Sequence, residues 1–191
     1  MLAIPIYNEH KSIVLKSKEA TQADAFQLVF RQPTAEDGYP LNKLVENSPP
    51  LDPNSVYCNL LQCTHFSETS VAVEEDGQLV GFISAYIPPA KPDTVFVWQV
   101  AVDKSQRGRG LAKKMMQEIV QRPACADVRF LETTITPDNE ASWALFRSFA
   151  RDMNTELNHD IWFEREAHFQ GKHDSEALLR IGPFPRPPLE Q

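Results

Sequence analysis

The feature that most constrains the fold is a long apolar strand that runs through a glycine-containing loop into an amphipathic helix. Residues Thr94–Val102 read Thr-Val-Phe-Val-Trp-Gln-Val-Ala-Val, a β-branched and aromatic composition that favours a strand. Apolar residues then recur at 111, 112, 115, 116, 119 and 120, the spacing of one helix face, and Pro123 marks the helix end. This order indicates an α/β protein in which the helix covers a sheet.

The rest of the chain alternates between strand and helix patterns. Further strands are predicted at residues 26–30, 70–74, 78–86, 128–135, 161–163 and 177–181, with a hairpin turn at Asp76-Gly77. Helices are predicted from three apolar faces, formed by Leu41, Leu44 and Val45, by Val56, Tyr57, Leu60 and Leu61, and by Ala141, Leu145 and Phe149. Asp52 before Pro53 resembles an N-cap of the second helix, and Thr136-Pro137 is predicted to begin the third. The order of these elements predicts helices packed on a mixed sheet.

The chain's length and composition fit one domain in a reducing compartment. We expect a loosely ordered arm over residues 1–24, a single domain over 25–184 and a proline-rich tail over 185–191. The three cysteines form no Cys-x-x-Cys pair, so we expect neither a disulfide framework nor a metal site. Scattered thiols fit a reducing environment, so we expect a cytoplasmic location. The net charge of −7, without a basic stripe, argues against nucleic acid, and no apolar run has the ~18–20 residues of a membrane span.

The loop after the long strand is suited to an anionic ligand. It contains Arg107, Gly108, Arg109 and Gly110, directly before the helix that starts near Leu111. Glycines let backbone N–H groups approach a ligand, and a helix N-terminus adds partial positive charge, so the loop could hold a pyrophosphate. The alternative is a surface turn with solvated arginines. The Walker and dinucleotide fingerprints are both absent.

Two segments resemble the GNAT superfamily of N-acetyltransferases. Arg107-x-x-Gly110-x-Ala112 follows a Val-Ala-Val-Asp strand end, and Asn139-x-Ala141-x-x-x-Leu145-Phe146 resembles the superfamily's second coenzyme A segment. The resemblance implies a mixed, mostly antiparallel central sheet flanked by helices, with splayed central strands that bind acetyl-CoA. The implied cofactor residues are the strand backbone (Val100, Ala101, Val102), the loop amides (Arg107, Gly108, Arg109, Gly110, Leu111, Ala112), and Asn139 and Phe146 beside the thiol.

A narrower resemblance covers roughly residues 28 to 184. Residues 49–55, 92–94, 98–102, 131–139 and 180–184 are similar to the L-2,4-diaminobutyrate acetyltransferases of ectoine biosynthesis. It implies acetyl transfer from acetyl-CoA to the 4-amino group of L-2,4-diaminobutyrate, a homodimer and no metal. The alternatives are acetylation of another small amine or of a protein amine, and a coenzyme A-binding regulator that lacks catalysis.

The same resemblance implies a set of polar substrate residues, each of which has a plainer interpretation. Asp52 is expected to bind an ammonium group, and its alternative role is to cap a helix. Trp98 is expected to line the amine site, and its alternative place is in the core. Asn139 is either a ligand contact or a helix-start residue.

The candidate catalytic groups follow from the chemistry of amine acetylation. An amine with a pKa near ~10 must lose a proton before it attacks a thioester. The resemblance places His173 and Glu176, three residues apart, beside the substrate, where Glu176 could hold an ammonium group and His173 could assist proton removal. Glu132 is the other candidate base, directly or through a water. The alternatives are a solvated surface pair for His173 and Glu176 and a charge at a sheet end for Glu132. Many superfamily members carry a tyrosine that protonates the leaving thiolate, whereas the matching region here reads Phe-Arg-Ser-Phe over 146–149.

Overall fold

One continuous sheet organises the part of the chain that the computed structural model describes, residues 27–49 and 51–185. The predicted arm over residues 1–24 and most of the predicted tail lie outside these ranges. The strands are β1 (Val29–Arg31), β2 (Val71–Glu75), β3 (Gln78–Tyr86), β4 (Thr94–Val102), β5 (Phe130–Ile135), β6 (Leu157–Phe163) and β7 (Glu176–Ile181). Their order across the sheet is β1-β2-β3-β4-β5-β7-β6. All pairs are antiparallel except β4–β5, which confirms the predicted mixed, mostly antiparallel sheet.

Helices cover both faces of the sheet. They are α1 (Gly38–Glu46), α2 (Val56–His65), α3 (Leu111–Val120), α4 (Glu140–Asp152) and the short α5 (Arg165–Phe169), with 3-10 turns at Ala35–Asp37, Lys104–Gln106 and Pro123–Cys125. Helices α3 and α4 bury Met115, Met116 and Phe149 in the larger core, whereas α1 packs Leu41 and Val45 against Phe82 on the other face. In the described ranges, no helix is long and apolar enough to cross a bilayer.

The sheet opens between its two central strands. Strands β4 and β5 pair only from Thr94 to Phe96, so the rest of β4 has no strand partner on that side. On its other side β4 carries a bulge, because Gln99 pairs with Ser84 and Val97 with Ala85, which leaves Trp98 without a partner. The separation creates a cleft at the middle of the sheet, with free β4 backbone groups on its wall.

Several sequence predictions are confirmed in detail. Strands β3 and β4 and helix α3 have the predicted positions. The turn between β2 and β3 is a hairpin turn in which both central residues, Asp76 and Gly77, have positive φ.

Two predicted helix starts are wrong. Helix α2 is capped by Ser55, whose hydroxyl accepts a hydrogen bond from the Cys58 N–H, and Asp52 lies further upstream in an extended segment. Helix α4 starts at Glu140 instead of at Thr136-Pro137, because the Asn139 side chain caps it. In both places a side chain with the right backbone geometry for a cap lies nearer the helix.

The buried faces of these two helices also differ from prediction. Helix α2 buries Asn59, Gln62 and Cys63, while Tyr57 remains 70% exposed. Helix α4 buries Trp143, Phe146, Phe149 and Ala150, and the predicted face residue Ala141 is exposed. Helix α5 was not predicted.

Candidate active site

A cleft of about 710 Å³ opens where β4 and β5 separate. Its walls are the bulged part of β4, the end of β5, the extended segment at residues 51–54, the start of α4 and the region around residues 173–176. Side chains from all these walls line the cavity, and many of them are polar. The cleft is therefore a concave site with several convergent polar groups, as a small-molecule site requires.

The loop between β4 and α3 presents a row of free backbone donors. Gly108 and Gly110 both have φ near +75° (75° and 73°), a region that other residues rarely adopt, and a Cβ at either position would meet open space. The N–H groups of residues 108 to 113 make no backbone hydrogen bond with any described residue. These donors surround the N-terminus of α3, an arrangement that could hold an anion, whereas the Arg107 N–H, which the sequence analysis included, is bonded to the Lys104 carbonyl at 3.4 Å.

The two loop arginines have different surroundings. Arg107 donates from Nε to the Val102 carbonyl at 3.1 Å, so it is tied to the end of β4. Arg109 donates to the Gln106 side-chain oxygen at 2.5 Å, and Gln106 in turn donates to Glu75 at 2.7 Å. Gln106 is buried and holds the loop against the β2–β3 hairpin, while the Arg109 side chain stays 58% exposed. Both arginines are exposed, and the Arg109 guanidinium also lies 4.0 Å from the Glu75 carboxylate.

A carboxylate, a histidine and a second carboxylate meet at one end of the cleft. The His173 Nε2 atom lies 3.9 Å from Glu176 Oε1 and 3.9 Å from Asp52 Oδ2. His173 Nδ1 is 2.7 Å from the Asp174 carbonyl oxygen, which can only accept, so Nδ1 carries the proton. In the neutral ring, Nε2 is then the unprotonated nitrogen that faces both acids. The structure thus brings together three of the residues singled out from the sequence.

Burial tunes the Glu176 carboxyl group. Its side chain is 18% exposed, and this burial raises its pKa above the ordinary value, against the opposing effects of a Thr134 hydrogen bond and the nearby His173. A carboxylate with raised proton affinity in a cleft has the properties of a general base.

Trp98 lines the cleft and is 46% exposed, as a ligand contact would be and a core residue would not. Simple strand alternation would send Trp98 and Gln99 to opposite faces, yet both line the cavity because the bulge breaks the alternation at this point. The ring of Phe66 packs against Trp98 with centroids 6.3 Å apart. Val100, next along β4, also lines the cleft.

Asn139 and Phe146 lie on the α4 side of the cavity. The Asn139 side-chain oxygen caps α4 by accepting from the Ser142 N–H at 3.1 Å, so the plainer interpretation of this residue describes its position correctly. Asn139 also lines the cleft, and the two functions are compatible because its side-chain N–H₂ group remains available. Phe146 is buried and contributes an apolar surface to the cleft.

Glu132 is not placed at the cleft, although the sequence suggested it as a base. Its side chain is 3% exposed, and its carboxylate is bound by Lys91 at 2.8 Å and by Arg180. A carboxylate whose oxygens are held by two cations has no free position from which to take a proton from the substrate. This arrangement corrects the sequence interpretation and leaves Glu176 as the carboxylate suited to that task.

Sequence reasoning missed two cleft residues that bind each other. Asn54 donates to the Gln99 side-chain oxygen at 3.2 Å, and Gln99 donates to the Asp52 carbonyl at 3.2 Å. Both lie inside the stretches that carried the family resemblance, next to Asp52 and Trp98. Their polarity beside predicted site residues was the available signal.

Comparison with known proteins assigns the chain to a family. The sequence profile of the acetyltransferase (GNAT) family matches residues 37–150. A L-2,4-diaminobutyric acid acetyltransferase from Methylotuvimicrobium alcaliphilum is 50% identical over 157 residues, which are 82% of this chain and 91% of the relative. The corresponding protein of Chromohalobacter salexigens is 49% identical over 158 residues, 82% of each chain.

A solved structure shows the same relationship in three dimensions. Diaminobutyrate acetyltransferase EctA from Paenibacillus lautus, in complex with L-2,4-diaminobutyric acid and coenzyme A, superimposes with a TM-score of 0.80 and 39% sequence identity. The match covers 85% of this chain and 98% of that one. From its sheet, its cleft and these relatives, the chain belongs to the L-2,4-diaminobutyrate acetyltransferases of the GNAT family.

Proposed function

We propose that this protein transfers the acetyl group of acetyl-CoA to the 4-amino group of L-2,4-diaminobutyrate, giving N4-acetyl-L-2,4-diaminobutyrate and coenzyme A. The observation that carries the proposal is a single cleft lined both by the part of β4 that has no β5 partner and by the Asp52–His173–Glu176 cluster. The relatives' names specify the diamino acid, and the cluster supplies the charges that such a substrate requires.

The residues of the β4–α3 loop fit coenzyme A. A diphosphate needs several convergent donors and positive charge, and the free N–H groups of residues 108–113 with Arg109 supply both. The free backbone of β4 beyond Phe96 can pair with the amides of the pantetheine arm in the manner of an added strand. Acetyl-CoA supplies the thioester whose carbonyl carbon the amine attacks.

The cleft itself is suited to a small diamino acid. Asp52 and Glu176 provide negative charge for ammonium groups, and the exposed Trp98 ring provides a face for the aliphatic chain and for cation–π contact. Polar recognition of this kind discriminates strongly, because a substrate that lacks a matching group leaves buried polar atoms unpaired. Longer diamines should therefore react less well.

Glu176 acts as the general base in this proposal. Its raised pKa places it nearer the operating pH than an ordinary carboxylate, and it accepts a proton from the 4-ammonium group directly or through a water. His173, with Nε2 unprotonated, can take the proton onward from Glu176. The free amine can then attack the acetyl carbon.

The backbone of β4 stabilises the negative charge that develops on the acetyl oxygen. A free N–H near Val100, in the unpaired part of the strand, is a suitable donor because it is fixed in place before the reaction. Phe146 cannot donate a proton to the departing sulfur, so we propose that the thiolate leaves unaided or takes a proton from water.

We also propose the cellular setting. The product is the precursor of the compatible solute ectoine, so the enzyme would act in the cytoplasm during osmotic stress, where acetyl-CoA is available and its free cysteines stay reduced. A homodimer with a single domain over 25–184 in each copy is proposed from the family resemblance. Light scattering on the purified full chain tests the oligomeric state.

The central experiment follows thiol release from acetyl-CoA with diaminobutyrate, ornithine, lysine and a polyamine as acceptors. We expect kcat/KM to be highest for diaminobutyrate by at least tenfold, and NMR of the product to show the acetyl group on N4. Equal rates with all four amines, or acetylation at the α-amine, would refute the substrate assignment. Binding of coenzyme A without turnover of any amine would refute catalysis itself.

A further inference from the structure

Three side-chain amides are buried between α1, α2 and the sheet, where apolar residues would pack better. Asn42 on α1 is 4% exposed, and Asn59 and Gln62 on α2 are both 0% exposed. Buried amides stabilise a fold only when they are hydrogen-bonded, and here one Asn59 N–H₂ group and the Gln62 oxygen have no partner among the described residues. Apolar side chains of similar size would avoid that cost, so the amides at this position need another reason.

Two of the three amides connect to the segment that carries Asp52, Asn42 directly and Asn59 through Asn42. Asn42 donates from Nδ2 to the Asn54 carbonyl at 2.8 Å and to the Asn59 side-chain oxygen at 3.3 Å. Asn54 donates to the Gln99 side chain at 3.2 Å, and Gln99 donates to the Asp52 carbonyl at 3.2 Å. The segment is therefore tied to α1 on one side and to the bulged strand β4 on the other.

This segment has no regular structure of its own to keep it in place. It lies between α1 and α2, outside any helix or strand, and the Asp52 side chain is 85% exposed. The Asp52 carboxylate lies 3.9 Å from the His173 Nε2 atom, which is too far for a hydrogen bond that would fix its orientation. The position of the carboxylate thus depends on the backbone that bears it, and that backbone is held by Asn42 and Gln99.

We propose that Asn42 and Gln99 are positioning residues for substrate recognition, which hold the backbone at residues 52–54 so that the Asp52 carboxylate faces an ammonium group of the diamino acid. This inference rests on the proposed function. Asn42 acts entirely from behind the cleft, since it is buried and does not line the cavity. Gln99 does line it, so Asn42 is the cleaner site for a test.

The test compares Asn42→Leu with Gln62→Leu by steady-state kinetics. Gln62 is a matched control because it is an equally buried amide on α2 whose Nε2 reaches only the Cys58 sulfur, at 3.4 Å. We expect Asn42→Leu to raise KM for diaminobutyrate about three- to tenfold, the factor for one lost hydrogen bond. KM for acetyl-CoA should stay within twofold of wild type, and Gln62→Leu should change neither KM.

A second variant covers the case in which Asn42→Leu does not fold. Gln99→Met keeps the length of the side chain but removes both hydrogen bonds, and it should produce the same selective rise in KM for diaminobutyrate. Equal rises in both KM values, or no change in KM for diaminobutyrate in either variant, would overturn the inference. Each variant is compared with wild-type protein whose turnover of diaminobutyrate has already been measured. Failure of this inference therefore differs from failure of the proposed function, in which the wild type itself would not acetylate diaminobutyrate.

Discussion

The replacement of Glu176 by glutamine is the most direct test of the proposed chemistry. Glutamine has nearly the shape of glutamate but cannot accept a proton at neutral pH, so Glu176→Gln removes the base and little else. Glu176 begins β7 and is packed beside Thr134 and His173, where an amide of the same size can be accommodated. We expect the variant to bind acetyl-CoA normally and to turn over slowly.

The size of the loss can be bounded from the site. A positioned general base contributes roughly 10²–10⁴ in rate. His173 Nε2 lies 3.9 Å from the Glu176 carboxylate and can accept the proton in part when that carboxylate is absent. We therefore expect the lower part of the range, a fall in kcat of about 100- to 1,000-fold, which corresponds to about 3–4 kcal/mol of barrier.

The assay is the pH dependence of kcat/KM together with thermal unfolding. In wild type the rate should fall as pH drops through the raised pKa of Glu176, because the protonated acid is no longer a base, and this limb should be missing in Glu176→Gln. The pKa of Glu176 in the folded state lies above the ordinary value of 4.5, so the folded state binds the proton more tightly than the unfolded state. The stabilisation from the protonated carboxyl group is therefore fully present at low pH and is lost as the pH rises through the folded-state pKa. At neutral pH the uncharged amide should consequently not lower the melting temperature.

A matched control separates the base from buried carboxylates in general. Glu132 lies on the neighbouring strand β5 and is more deeply buried than Glu176, but its oxygens are bound by Lys91 and Arg180. Glu132→Gln should retain the acidic limb of the pH profile. If Glu176→Gln keeps kcat within threefold of wild type, or if the limb disappears in Glu132→Gln instead, the assignment of the base is wrong.

Five substitutions test the fold and the β4–α3 loop. Glu132→Gln should lower the free energy of unfolding by about 1–3 kcal/mol in urea titrations. The loss should be smaller than for a fully enclosed ion pair, because the side chains of Lys91 and Arg180 are 44% and 36% exposed. Ser55→Ala should cost about 1 kcal/mol by the same measurement, whereas Asp52→Ala should cost nothing, since Ser55 caps α2; equal losses would contradict the observed helix start. Gly110→Ala should cost about 1–2 kcal/mol from its φ of 73° and also raise KM for acetyl-CoA, and an unchanged KM would contradict the role of the loop. Arg109→Ala should raise KM for acetyl-CoA about threefold to tenfold while KM for diaminobutyrate stays constant in initial-rate kinetics, and the opposite pattern would place Arg109 at the substrate end.

Elements with strong local signals could be predicted from the sequence. The β-branched run of β4, the Asp76-Gly77 hairpin and the apolar stripe of α3 depend on residues close together in the chain, and the structure has all three where expected. Helix starts were less predictable, because Ser55 and Asn139 compete with nearby Asp-Pro and Thr-Pro signals that are equally good caps on paper. Which one caps the helix depends on the backbone path imposed by the neighbouring elements.

Local sequence is enough to specify the unit of β4, the glycine loop and α3, since backbone preference, glycine conformation and apolar spacing are properties of contiguous residues. Which carboxylate faces the cleft depends instead on long-range packing. Glu132 and Glu176 are both acids on adjacent strands, and long-range contacts with Lys91 and Arg180 remove the first from the site. Trp98 and Gln99 both line the cavity because of the β4 bulge, which depends on the pairing of β4 with β3. The amides of α2 are buried because the packing of α2 on neighbouring elements sets which of its faces is turned inward.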